Sequence, residues 1–292
     1  MNMRAQVECF TCNIRQAQEA ASVVCDKREF LWQVSQSLCA LYAHASTDWT
    51  PAYMTTLAHR VAKEMTGVED IYYQHKRHYN RFALQLYPEL EQFVAESDNP
   101  LERAVQVAIV GNIIDLGVYR EIDRRRIREQ LYNIQWGKYD FVPFEVDVRR
   151  AKTLVYVGDN AGEIVFDRVL LQEIRKIGVR EIFFVVKSGP VSNDVLLEDF
   201  EEAQLGDFAY PLVTGQDACG IVLEEAPKEL QEVWQKADLI ISKGQGNFES
   251  LSGRKENIYF LLKAKCTPVA REFGVEQGAL ILKRNLSSYD LR

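Results

Sequence analysis

The chain lacks any apolar run long enough to cross a bilayer, which takes roughly 20 helical residues. Its longest runs, such as Leu154–Val157 and Ile182–Val186, are far shorter. The opening MNMRAQVECF lacks the apolar core of a secretory signal. The expected location is therefore cytoplasmic, with no membrane partner. Basic charge is not in excess either: a net charge of −7 and a pI near 5.3 argue against a nucleic-acid partner. Internal repeats and low-complexity linkers are absent, which excludes a solenoid. The six cysteines (Cys9, Cys12, Cys25, Cys39, Cys219 and Cys266) are scattered through a chain too large to need a disulfide scaffold. Cys9 and Cys12 have the spacing of half a zinc site, but no second CxxC or His pair follows nearby. They read as two small residues at the start of a packed helix.

What is present is enough apolar sequence, 47% of 292 residues, for one large core or two moderate ones. Texture changes near residue 150, and the expected division is a helical domain at 1–147 and an α/β domain at 148–292. Helical periodicity covers about Thr11–Val24, Lys27–His44 and Tyr72–Leu86. Thr50-Pro51 reads as an N-cap and first-turn proline, Gly67 as the stop of that helix, and Asn99-Pro100 as the opening of another. Arg124, Arg125, Arg126 and Arg128 stand among acidic residues and read as a solvated helix face. Tyr139–Asp147 is the expected crossover. Beyond it, strands are expected at Thr153–Val157, Glu181–Val186, Leu239–Ser242 and Ile258–Ala264, with helices at Gly162–Ile177 and Pro227–Ala237. The fold class is thus α/β, a helical N-terminal domain packed on a Rossmann-like, three-layer α/β/α domain with a mostly parallel sheet.

Polar clusters sit where three of these strands end, the edge at which such sheets bind ligands. The first is Gly158-Asp159-Asn160, followed by Glu163 and Asp167 at helical spacing. Both acids fall in the first helical turns, where they complement the helix dipole, and Glu163 is also a candidate substrate contact. The second is Lys187-Ser188-Gly189-Pro190 with Asn193-Asp194. Neighbouring strand ends can bring Asp159, Asn160 and Asp194 together as an all-oxygen set for a hard cation such as Mg²⁺ or Mn²⁺. The third, Lys243 to Ser250, is not a P-loop, because its lysine precedes the glycines. It can still present an ammonium and backbone N–H groups to a phosphate, through Lys243 and Gly244, with Asn247 and Glu249 beside them. Asn112 and Asp115 lie on one face of a helix that is apolar nearly all round, and could project into an inter-domain cleft.

Taken together, GDNAGEIVFD at 158–167, ISKGQGNFES at 241–250, GNIIDLG at 111–117 and CFTCNIRQA at 9–17 resemble the DUF89 family, the metal-dependent damage-control phosphatases. GVEDIYYQHKRHYNRFAL at 67–84 resembles the family's helical region, with Lys76 and Asn80 at matching positions. The CxxC-bearing form resembles the compact archaeal and bacterial branch. The resemblance implies a divalent cation between the two domains, held by Asp159, Asn160 and Asp194, with Lys243 beside Asn247 and Glu249 in the phosphate motif.

The expected activity is hydrolysis of small phosphorylated metabolites, with Mg²⁺, Mn²⁺, Co²⁺ or Ni²⁺ as cofactor and with Asp159 and Lys243 as catalytic groups. A metal-activated water or Asp159 itself attacks phosphorus, and the residue types fit either. Two alternatives stand beside it: a non-catalytic phosphate-binding module, and a carboxyl methyltransferase, for which Gly158–Gly162 is a poor nucleotide turn.

Overall fold

The computed structural model describes residues 2–113 and 124–285; Asp115 lies outside them. Among the described residues the chain begins with six helices: α1 (Val7–Ser22), α2 (Arg28–Tyr42), α3 (Pro51–Thr66), α4 (Tyr73–Ala95), α5 (Pro100–Ile113) and α6 (Arg124–Tyr132). A strand and helix follow, β1 (Trp136–Tyr139) and α7 (Phe141–Arg150). Then come β2 (Thr153–Val157), α8 (Glu163–Ile177), β3 (Glu181–Val186), α9 (Leu197–Glu202) and β4 (Tyr210–Val213). The chain continues through α10 (Lys228–Lys236), β5 (Leu239–Lys243), α11 (Gln245–Leu251), β6 (Ile258–Lys263), α12 (Thr267–Phe273) and β7 (Leu280–Arg284). Among the described residues no helix is long and apolar enough to cross a membrane.

The punctuation acts as the sequence dictates. Thr50 Oγ1 accepts the Tyr53 N–H at 3.1 Å to cap α3, and Gly67 ends that helix with φ +67°. Where periodicity predicts a helix ending near Leu86, α4 runs on through Pro88 to Ala95. The proline removes one backbone donor, but Tyr87, Leu90 and Val94 are buried on either side and hold the helix together.

Among the described residues seven strands pair in the order β1-β7-β6-β5-β2-β3-β4, parallel except for β6 against β7. Period-2 alternation splits the sheet between two cores. Leu154, Tyr156, Phe184 and Ile241 face α5, α7 and α8, whereas Val155, Val157, Val185 and Ile240 face α10, α11 and α12. A third apolar cluster holds α1, α2 and α3 together. The sheet starts earlier than residue 148, because β1 precedes the expected crossover and α7 occupies it. β1, β4 and β7 escape sequence detection: β1 is four half-exposed residues, β4 is an edge strand containing Pro211, and β7 is the antiparallel exception. The arginines of α6 lie exposed, with Arg128 Nη2 paired to Glu89 at 2.7 Å.

The strand order reverses at β2. The chain moves outward through β3 and β4, then crosses back to lay β5 on the other side of β2. That reversal opens a crevice at the C-terminal ends of β2 and β5. Asp159 and Lys243 both stand there.

Candidate metal centre

Backbone bonds bring the first two polar clusters together. The Val195 N–H donates to Asp159 O at 2.9 Å, the Ala161 N–H to Asn193 O at 3.0 Å, and Asn160 bridges antiparallel to Asp194. Asp159, Asn160 and Asp194 are thereby held in adjoining loops. Gly244, at the end of β5, has φ +79°, and a methyl group on it would overlap the Asp159 carboxylate. The bare glycine lets the carboxylate lie against the β5–α11 turn. Asn247 locks the same turn, donating from Nδ2 to Gly158 O at 2.9 Å and to Lys243 O at 2.7 Å.

Asp159 Oδ2 accepts from Asn160 Nδ2 at 2.7 Å and from Asn112 Nδ2 at 3.0 Å. Asn112 reaches it from α5, and its orientation is set by the Lys263 N–H, which donates to Oδ1 at 2.9 Å. The same two amides donate to Glu163: Asn112 at 3.1 and 3.2 Å, Asn160 at 3.2 Å. Glu163 and Asp167 are not surface acids serving a helix dipole. They are 3% and 1% exposed, and both grip Lys243.

Lys243 is wholly enclosed. Its ammonium donates to Glu163 Oε1 at 2.5 Å, to Ala108 O at 3.0 Å and to Asp167 Oδ1. An ammonium has three donors, so the phosphate contact expected of Lys243 has no donor left. Tyr156 Oη also donates to Asp167 Oδ1, at 2.7 Å. Glu249 accepts from Gln245 Nε2 at 2.9 Å, and burial pushes its carboxyl up to about 7. Burial raises the Cys9 and Cys266 thiols and the Glu249 charge adds to it, so Glu249 sits near the cysteines of α1 and of the α12 N-cap.

Electrostatics single out the crevice. Asp159 is raised well above the usual carboxylate range by burial, then by the negative charges of Glu163 and Asp194. Asp194 is pushed up to about 6 by burial, against the pull of Lys187, Lys76 and Lys265. Lys187 Nζ lies 3.6 Å from Asp194 Oδ2 and donates to Gly220 O, while buried Lys76 pairs with Asp70 Oδ2 at 2.6 Å. Lys265, half-buried just beyond β6, is near enough to pull down both Asp159 and Asp194.

Crowded buried carboxylates with an amide oxygen fit a hard divalent cation, whose charge relieves their repulsion. Among the described residues no three His, Cys, Asp or Glu side chains group as a metal site. The candidate set therefore depends on Asn160 as its third donor. Sequence reasoning missed Lys265 and Tyr156 as parts of this site. The available signal for Lys265 was its place just after a parallel strand.

The α4 helix clamps the crevice from the helical side. Asn80 Oδ1 accepts the Gly162 N–H at 2.6 Å, and its Nδ2 donates to Asp199 Oδ1 at 2.8 Å and Glu202 Oε2 at 2.7 Å. Arg77 pairs with the same two acids.

The sequence model of the damage-control phosphatase ARMT1-like domain matches residues 5–281. A damage-control phosphatase of Archaeoglobus fulgidus is 36% identical over 298 residues, covering 96% of this chain and 99% of that protein. A damage-control phosphatase of Pyrococcus horikoshii is 34% identical, covering 97% and 99%, and an uncharacterized protein of Methanocaldococcus jannaschii is 36% identical, covering 97% and 96%. The crystal structure of a DUF89 family protein from Pyrococcus horikoshii superposes with a TM-score of 0.89 at 32% identity, over 97% of this chain and all of that one. The chain therefore belongs to the family of the damage-control phosphatase ARMT1-like domain, DUF89.

Proposed function

We propose that this protein is a metal-dependent phosphomonoester hydrolase acting on small phosphorylated metabolites, in keeping with the name its relatives carry. One observation supports this most: half-buried Asp159 and buried Asp194 are crowded together at the point where the strand order reverses. Asp159, Asn160 and Asp194 would hold a divalent cation such as Mg²⁺, Mn²⁺, Co²⁺ or Ni²⁺. When bound, such a cation supplies Lewis-acid polarisation of a phosphoryl oxygen and offsets the charge that develops there.

The chain's own groups do the rest. Asn112 and Asn160 fix Asp159 Oδ2 and leave Oδ1 for the centre. Lys265 supplies positive charge beside the carboxylates for the remaining phosphate oxygens. A metabolite pool in the cytoplasm suits this reading.

The test is hydrolysis of a panel of sugar and nucleoside monophosphates. Activity is expected to vanish after chelation with EDTA and dialysis, and to return with Mn²⁺, Co²⁺, Ni²⁺ or Mg²⁺. Full activity in chelated protein would contradict the proposal.

A further inference from the structure

Lys243 ends a strand at the mouth of the site, yet its side chain turns inward and is completely buried. The bonds around it form one chain running outward. Tyr156 Oη donates to Asp167 Oδ1, and Lys243 Nζ donates to the same oxygen and to Glu163 Oε1. Glu163 Oε2 in turn accepts from Asn160 Nδ2 and Asn112 Nδ2, at 3.2 and 3.1 Å. Both amides also donate to Asp159 Oδ2. A carboxamide is planar and trigonal, so its oxygen and nitrogen diverge from the same carbon. With the Asn160 nitrogen drawn toward Glu163 and Asp159, its oxygen is turned aside from the two carboxylate oxygens that hold the nitrogen.

We propose that Lys243 is a positioning residue. Braced by Asp167 and Tyr156, it sets Glu163 so that Asn160 presents its carbonyl oxygen, not its NH₂, to the cation. The inference rests on the reading of Asp159, Asn160 and Asp194 as the ligand set. Its physical basis is that an amide can ligate a hard cation only through oxygen, and that outer groups fixing a ligand's orientation are typically worth about 10- to 100-fold in metal affinity. Asp167 and Tyr156 thereby gain a role for which helix-dipole placement and strand packing give no reason. The α8 helix serves both ends of this chain, since Glu163 and Asp167 are one turn apart on it.

Two variants test this. Lys243→Met leaves two buried carboxylates without their cation and is the stronger change. Asp167→Asn is nearly isosteric, keeps Lys243 paired with Glu163, and is the variant that retains the fold if the first does not. The first readout needs no metal: side-chain amide signals of Asn112 and Asn160 in ¹⁵N-labelled apoprotein. In the wild type these protons are expected to exchange slowly with water, and in both variants quickly. The second readout is the Mn²⁺ dissociation constant by calorimetry, expected to rise about 10-fold or more in each variant.

Wild-type exchange and wild-type Mn²⁺ affinity in Asp167→Asn would overturn the proposal. So would a raised KM for phosphate ester with unchanged Mn²⁺ affinity, the mark of a phosphate-binding lysine. Loss of amide protection in the variants, in a protein whose wild type binds no Mn²⁺, would uphold the positioning chain and refute the cation reading instead.

Discussion

Asp159→Ala is expected to lower kcat/KM for phosphate-ester hydrolysis by at least ~10³-fold, the scale seen when a transition-state charge stabiliser is removed from a dry site. The carboxylate is the point where three elements meet: the β2 end that carries it, the Asn112 amide from α5 and the Gly244 turn after β5. Its removal takes one proposed ligand away and leaves the Asn112 and Asn160 amides with Glu163 Oε2 as their remaining shared acceptor. Stability should not fall with activity. Asp159 is crowded by Glu163 and Asp194, and deleting one of three like charges relieves repulsion. The melting temperature of the metal-free protein is therefore expected to be unchanged or higher. Steady-state kinetics and differential scanning calorimetry check the two halves, and activity within about tenfold of wild type would remove Asp159 from the mechanism.

Gly244→Ala is the second large effect, and it acts without touching any charge. The glycine has φ +79°, and the added methyl would overlap the Asp159 carboxylate. Either the carboxylate swings away or the β5–α11 turn moves, and Asn247, which ties that turn to Gly158 and Lys243, resists the second. The expected result is a loss of about 10²-fold in kcat/KM, as for a misplacement near 1 Å, with a stability cost of about 1–3 kcal/mol from the strained backbone. Kinetics and urea unfolding measure both. A fully active Gly244→Ala protein would mean that the carboxylate does not work from this position.

Much of the fold is legible because buried parallel strands advertise themselves. The runs at Thr153–Val157, Glu181–Val186, Leu239–Lys243 and Ile258–Lys263 are β-branched or aromatic, and nearly all of their residues are buried. Edge strands carry no such signal, and for that reason β1 and β4 stay hidden. The helix expected to end near Leu86 errs in the other direction: its periodicity fades there, whereas packing of Tyr87 and Leu90 carries α4 on through Pro88.

The site divides similarly. That Asp159, Asn160 and Asp194 lie in adjoining loops can be read in sequence because strand ends in a parallel sheet are neighbours by topology, and the bridge between Asn160 and Asp194 joins those loops. The inward turn of Lys243 cannot be found that way. It depends on two acids on α8 and a carbonyl on α5, brought together only by packing. Lys265 offers in sequence only its place just after β6, because its meaning lies in its nearness to carboxylates more than 70 residues away. Local patterns report elements and strand ends; side-chain direction at the end of a strand is a tertiary property.

The central claim is that Asp159, Asn160 and Asp194 bind one divalent cation on which hydrolysis depends. Anomalous diffraction from crystals grown with Mn²⁺, collected above and below the manganese edge, tests it most directly. A single strong peak is expected in the crevice beyond β2, coordinated by oxygens of all three side chains and absent from Asp159→Ala crystals. A peak elsewhere, or none in a protein that hydrolyses phosphate esters under the same conditions, would contradict it.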